Sequence, residues 1–308
     1  MANIPSLGDE NFTSKLNQTL PSPPTGIVEV FSALNIFLSI TASLGNALIL
    51  IALHKVSSIH PTTKLFFRCL AVTDLGVGLV VQPLYVTIIM SPLIKMNGHD
   101  IFHVLQVGLT LSWCLGQVSI LTSAAISADR LLALSLGLRY RHVVTLRRAR
   151  VVIICIWLIG ALAGWTRMQR IDLAYKGAVV ILTLSLVTAI LCYTRMHLKL
   201  RHQQAQLHNI VPEGPIAIRG GIPLNIARYK KTVSSILWVQ LALVTCYVPL
   251  GIVIALSGNG ISYVALRTIE TVVYLNSSLN PILYCWKIRE VKQAVRDTIR
   301  KFCCFLRD

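Results

Sequence analysis

Apolar residues dominate seven long stretches of this chain, near 27–54, 63–90, 102–132, 150–167, 174–198, 231–256 and 264–285. A membrane-crossing helix needs about 20 mostly apolar residues, so the pattern predicts an all-α membrane protein, a seven-transmembrane helix bundle. Six of the stretches hold a residue at odds with its surroundings: Asn46, Asp74, Arg130, Trp157, Pro249 and the pair Asn280-Pro281. Ionisable groups are costly in hydrocarbon, normally face a bundle interior and mark function. The fourth stretch is the plainest, uncharged from Val151 to Trp165. The third is the most polar, with Gln106, Ser112, Gln117, Ser119 and Ser123. A lipid-facing helix would not tolerate that set, so the third span is expected at the centre.

Connections are short, apart from the N-terminal tail and an inner loop near 199–230. That loop holds Pro212, Pro215, Pro223 and Gly220-Gly221 and is expected to be irregular. The outer connection from Arg167 to Ala174 is too short for a separate lid. Past Tyr284, Ile288, Val291, Val295, Ile299 and Phe302 fall on one helical face, interleaved with Lys287, Arg289, Lys292, Arg296 and Arg300. This predicts a short amphipathic cytoplasmic helix lying in the membrane interface, helix 8. The division is therefore a tail over 1–25, the bundle over 26–285, helix 8 over 286–301 and a cytoplasmic end over 302–308.

Of the 308 residues 54% are hydrophobic and 13% charged, with a mean hydropathy of +0.66. A soluble domain is about a quarter charged, so the deficit of charge argues for membrane. The net charge of +17 raises the question of nucleic acid, but its distribution answers otherwise. With the N-terminus outside, 23 of the 29 Lys and Arg fall on the cytoplasmic side. Lys15, Lys95, Arg167, Arg170, Lys176 and Arg267 are the exceptions. That asymmetry is the positive-inside signal. Topology and contact with anionic membrane lipids explain basic pairs such as Arg147-Arg148 and Lys230-Lys231; contact with a partner protein is the alternative.

The first 25 residues lack the apolar core of a cleavable signal peptide, which leaves the first span as the targeting signal. Two glycosylation sequons, at Asn11 and Asn17, lie in that tail and agree with an outside N-terminus. Of eight cysteines none falls in an outer loop, so no extracellular disulfide is expected. The intramembrane ones read as small packing residues. Cys303 and Cys304 follow the amphipathic segment, a setting for palmitoylation, with two idle thiols as the alternative.

Taken in order, the motifs resemble the rhodopsin-like (class A) G-protein-coupled receptors. They are Gly45-Asn46, Leu70-Ala71-Val72-Thr73-Asp74, Asp129-Arg130-Leu131, Trp157, Cys246-Tyr247-Val248-Pro249 and Asn280-Pro281-Ile282-Leu283-Tyr284. The resemblance covers about 26–301. It departs where the family reads Asp-Arg-Tyr and Cys-Trp-x-Pro, since Leu131 and Tyr247 stand there. It implies a receptor that binds an extracellular ligand and activates heterotrimeric G proteins, with arrestin as a further partner.

The resemblance also assigns roles. Asp129 would hold Arg130 in a charge-assisted pair at rest; snorkelling to the interface is the plain reading of the same Arg. Tyr193, Tyr247, Pro249, Asn280, Pro281 and Tyr284 would complete the activation switch, the two prolines kinking their helices. Asp74, Ser119, Asn276, Ser277 and Asn280 would surround an allosteric sodium ion; a protonated structural Asp74 is the alternative. An acidic partner for Arg130 on span six is missing, because Tyr229 stands there before Lys230-Lys231. Raised basal signalling is the expectation. Span five has Ser185 where most members carry Pro.

The ligand is narrowed by exclusion. Tyr274 stands where opsins carry their retinal-linking Lys, and Ser112 where aminergic receptors carry Asp. The absent disulfide, short outer loop and Pro-less fifth span resemble the melanocortin, cannabinoid and lysophospholipid branch. Leu84, Leu105 and Leu109 replace the melanocortin acids, so a small molecule or lipid is favoured. Tyr85, Ser112, Trp113, Tyr247, Glu270 and Tyr274 are the expected pocket. Glu270 would pair with a cationic ligand or with Arg267, three residues away on the helix. A transporter or channel is the alternative function, but the inverted repeats and paired broken helices that would favour it are not found. A membrane enzyme would need clustered His or carboxylates inside the bilayer, and Asp74 stands alone there.

Overall fold

A computed structural model describes residues 24–57, 59–210, 238, 241–253, 262–287 and 289–305. All described elements are helical. The first span is Thr25–Lys55, the second Pro61–Ile94, the third Gly98–Leu136 and the fourth Leu146–Gln169. The fifth helix is Ile171–Ile210, the described part of the sixth is Leu241–Val253, and the seventh is Tyr263–Lys287. Helix 8 is Arg289–Phe305. Helices suit this setting because every backbone group finds its partner within the segment.

The first five spans are long and apolar enough to cross a membrane. The seventh is more polar because its inward face carries Thr271, Asn276, Ser277, Ser278 and Asn280, all buried. Lipid-facing positions are the reverse: Phe37, Leu44, Leu158, Leu162 and Ile190 are exposed. Asn35, Asn46, Asp74, Gln82 and Thr122 are fully buried. Such a continuous apolar exterior marks a surface made for lipid.

Helix ends follow local chemistry. Pro61 opens the second span at a position where its missing N–H costs nothing. Lys95, at φ 49°, closes it in the left-handed region. Gly137, at φ 53°, ends the third span and hands the chain to a short inner helix, Tyr140–Val143. Within the second span lies a π-helical turn over Val77–Val81, where Gln82 N–H reaches the carbonyl of Val77. Pro83 follows directly and has no N–H to give; the extra residue absorbs the mismatch without ending the helix.

The third span packs against the second, fourth and fifth, as its polar sequence predicted. Gly160 permits the close approach of span four: a Cβ there would overlap the Val118 side chain and stand 3.0 Å from the Cys114 carbonyl. Gly78 does the same between spans one and two, where a Cβ would meet Ser43 Oγ at 2.7 Å. Beside it Ser39 Oγ donates to the Gly78 carbonyl at 2.7 Å. Ser185 donates to the Ile120 carbonyl at 3.1 Å and clips span five to span three.

Three boundaries differ from the sequence reading. The inner loop expected from 199 instead continues the fifth helix to Ile210. Residues 199–210 contain no Gly or Pro and are rich in Gln, Leu, Lys and Arg, which favour helix. The fourth and fifth helices are joined by Arg170 alone, a shorter link than Arg167 to Ala174. Helix 8 starts at Arg289 and continues past 301 to Phe305. Its Val291 is buried with Phe66, Phe67, Leu53 and Tyr284, and Val295 packs on that cluster. Ile299 stays exposed. Lys55 Nζ donates to Thr298 Oγ1 at 3.0 Å and ties helix 8 to the first span. None of the six described cysteines within the bundle is in a disulfide.

Candidate functional site

Three groups of polar side chains lie one below another along the bundle axis. The outermost borders a cavity between spans three, five, six and seven. Ser112, Trp113, Tyr247 and Tyr274, four of the six expected pocket residues, line it. The sequence reading missed Gln117, Tyr175 and Ser277 among the lining residues. Gln117 was legible as part of the polar face of span three; nothing in the sequence pointed to Tyr175. Trp113 and Tyr175 meet edge to face at 5.1 Å. None of the described lining residues is charged. Trp113 Nε1 and Gln117 Oε1 are buried with no hydrogen-bond partner among the described residues. One is a donor and the other an acceptor.

The other two expected residues, Tyr85 and Glu270, do not line the cavity. Arg267 Nη1 donates to Glu270 Oε2 at 2.9 Å, and Tyr85 Oη donates to the same oxygen at 2.8 Å. The guanidinium also stands over the rings of Tyr85 and Tyr263, 5.5 and 5.0 Å from their centroids. Glu270 is therefore engaged from inside the protein. Tyr85 reaches the pocket only through its ring, which packs on Tyr274 at 4.9 Å.

The middle group is built on Asp74, fully buried on span two. Asn280 Nδ2 donates to its Oδ2 at 2.7 Å. Asp74 Oδ1, Asn280 Oδ1 and Ser119 Oγ are buried and lack a partner among the described residues. Asn276 and Ser277 are buried on the seventh helix as well. A carboxylate oxygen with neutral amide and hydroxyl oxygens is the donor set a hard cation prefers, so these residues fit a sodium ion. Asn46 Nδ2 donates to the Ser277 carbonyl at 3.1 Å, holding span one to span seven. Pro281 lies inside the seventh helix, and a Cβ on Gly45 would stand 2.9 Å from its ring.

The innermost group surrounds Asp129, which is 2% exposed at its side chain, against 18% for Arg130. Arg130 Nε donates to Asp129 Oδ2 at 3.1 Å, and Nη2 donates to the same oxygen. Thr63 Oγ1 of span two donates to Oδ2 at 2.9 Å, and Tyr140 Oη donates to Oδ1. Burial, and then the bond to Asp129, push the Tyr140 phenol above its usual range. His60 lies edge-on to Tyr140 at 4.8 Å, and burial lowers its imidazole pKa. Tyr193 packs near Leu131 at the inner end of span three, with Leu134, Cys192 and Met196. Tyr284 is buried on Phe67, rings 5.0 Å apart. Pro249 lies within Leu241–Val253 and cannot complete a backbone bond there.

Asn11, Asn17 and Tyr229 lie outside the described residues, and Cys303 and Cys304 fall in the last turn of helix 8.

The family described as "7 transmembrane receptor (rhodopsin family)" matches residues 45–171. Adenosine receptor A3 of Ovis aries is 27% identical over 295 residues, 85% of this chain and 87% of the relative. Adenosine receptor A3 of Canis lupus familiaris is 25% identical over 288 residues, 85% and 88% of the two chains. Adenosine receptor A2b of Gallus gallus is 30% identical over 147 residues, 48% of this chain and 42% of that one.

Proposed function

This chain belongs to the rhodopsin-like (class A) G-protein-coupled receptors, and from that premise we propose what it binds and how it switches. It is a multi-pass plasma-membrane receptor for an extracellular ligand that signals through G proteins; the transporter alternative has no support. Its family is one of receptors, not of enzymes.

The ligand we infer is a small, neutral heteroaromatic molecule, and adenosine is the first candidate because the relatives bear that name. One observation carries this reading. The described pocket lining is uncharged and largely aliphatic, with the rings of Trp113, Tyr175, Tyr247 and Tyr274 among it. It holds a buried donor on Trp113 and a buried acceptor on Gln117 that lack partners among the described residues. A planar ring would stack on Trp113, Tyr175 and Tyr247, and its own donor and acceptor would meet those two atoms once the Trp113 and Gln117 side chains turn toward the cavity. A cationic amine would find no carboxylate among the described lining residues, and Glu270 is held by Arg267 and Tyr85. An acyl chain would leave the two polar atoms unpaired, at about 1–3 kcal/mol each.

The ligand would press on Tyr247, two residues from Pro249, so that the inner half of span six swings outward. Arg130 would then leave Asp129 and offer its guanidinium fork to the G protein, with Tyr193 and Tyr284 filling the space. When bound, sodium would favour the resting packing. In that state Asp74, Ser119, Asn276, Ser277 and Asn280 would hold it, joining spans two, three and seven. The N-terminus is outside in this reading, which the charge asymmetry supports. Glycans on Asn11 and Asn17, acylation of Cys303 and Cys304, and contacts with arrestin and anionic lipid complete it.

The test is a screen in transfected cells that reads cAMP and calcium against nucleosides, amines, lipids and peptides. A response to adenosine or another neutral heteroaromatic compound is expected. A response confined to amines or lipids overturns the ligand assignment.

A further inference from the structure

The first turns of the third span carry His99-Asp100-Ile101-Phe102-His103. Two histidines four apart on a helix share one face, the spacing by which helical metal motifs offer two imidazoles to one ion. Here the two side chains have turned toward each other: His99 Nε2 and His103 Nε2 are 3.1 Å apart, and both residues are exposed. We propose that His99 and His103 form a binding site for a divalent transition cation of the zinc class at the outer end of span three, with water in the remaining positions.

Geometry supports the assignment. Bonds of ~2.05 Å from zinc to each imidazole nitrogen, closing over the 3.1 Å separation, subtend about 98° at the ion. That angle lies between the octahedral and tetrahedral values. The rings are 4.4 Å apart at their centroids and inclined by 70°, and His103 also meets Phe102 edge to face at 5.9 Å. Rotation of the two exposed rings away from each other would aim both lone pairs at one ion. The outer ring nitrogen has a matching neighbour. Asp100 Oδ1 stands 4.0 Å from His99 Nδ1, beyond hydrogen-bond distance; closing that gap would let the carboxylate orient a metal-bound imidazole. The alternative occupant of the gap is a proton shared between the rings, and the experiment separates the two.

The site is independent of the ligand pocket and of the sodium set. It lies on the same helix as Trp113 and Arg130, two turns and more above the pocket. Its placement outside the cell rests on the charge-derived orientation; the binding test does not.

Purified full-length receptor is titrated with Zn²⁺ in competition with a chromophoric chelator. Six further histidines supply a background, so the readout is the difference between variants. His99→Ala and His103→Ala should each weaken one Zn²⁺ site at least tenfold, and Asp100→Asn should weaken it severalfold. The swap Phe102→His with His103→Phe keeps the composition but moves one ring off the face; it should lose the site too. Melting temperature without metal should not move, because these side chains are exposed. Zn²⁺ binding unchanged in either alanine variant, or retained by the swap, overturns the proposal and leaves a shared proton.

Discussion

Asn280 of span seven donates to Asp74 of span two at 2.7 Å, across 206 residues of sequence. The bond occupies one carboxylate oxygen; Asp74 Oδ1, Ser119 Oγ and Asn280 Oδ1 are buried without a hydrogen-bond partner among the described residues. A site of this kind pulls spans two, three and seven together when a cation fills it. Sodium should therefore lower agonist affinity in the native receptor, by about 5–150-fold if the coupling is of ordinary size. Asp74→Asn should remove that dependence, as read by agonist competition with and without sodium. An unchanged sodium effect in the variant rules out this site.

Among the described residues Arg130, Thr63 and Tyr140 all donate to Asp129. Hydrogen bonds to a charged group contribute about 1.5–3 kcal/mol each. Asp129→Asn should raise ligand-free signalling severalfold by freeing Arg130, and Tyr140→Phe should raise it less. Ligand-free cAMP or calcium output at matched surface expression decides the matter. Output equal to the native receptor in Asp129→Asn contradicts the restraint.

The pocket and the outer ion pair make opposite predictions. Trp113→Phe keeps the ring and deletes the donor; Gln117→Leu keeps the bulk and deletes the acceptor. Each should cost about tenfold in agonist potency, the equivalent of ~1.4 kcal/mol. Glu270→Gln should leave potency within about threefold, under ~0.7 kcal/mol, because Glu270 serves Arg267 and Tyr85. A loss beyond thirtyfold in Glu270→Gln would mean that the acid meets a cationic ligand after all.

Gly160 sets the spacing of spans three and four. Gly160→Ala should destabilise the receptor by about 1–3 kcal/mol through overpacking against Val118, seen as a lower melting temperature in detergent. Gly177→Ala, with nothing within 4 Å of the added carbon, is the matched control and should not melt lower.

Much of this architecture is legible in the sequence because membrane burial writes a strong one-dimensional signal. The seven apolar stretches, the central place of the polar third span and the neighbouring pairs Asp129–Arg130 and Arg267–Glu270 all follow from spacing along one helix. Contacts between helices are less legible. That Tyr85 would reach Glu270, or that Tyr175 would face Trp113, depends on how each helix is rotated about its axis. The π-helical turn before Pro83 shifts that rotation for every residue above it while leaving hydropathy untouched. The extension of the fifth helix to Ile210 was hidden by the prolines and glycines that follow, which made the whole segment read as loop. The His99–His103 contact is not legible in the hydropathy pattern, because two polar rings at a span end carry no apolar signal.

The central claim is that the bundle exchanges between two packings and reports the change to a G protein through Arg130. Full-length receptor in nanodiscs with heterotrimeric G proteins tests it most directly, through the rate of nucleotide exchange. On the family resemblance, which sets Tyr229 where an acidic partner for Arg130 is usual, native receptor should accelerate exchange over empty discs even before ligand is added. Adenosine should accelerate it further, and Arg130→Ala should return it to the empty-disc rate. Exchange that never rises above empty discs across the G-protein panel, or that survives intact in Arg130→Ala, contradicts the account.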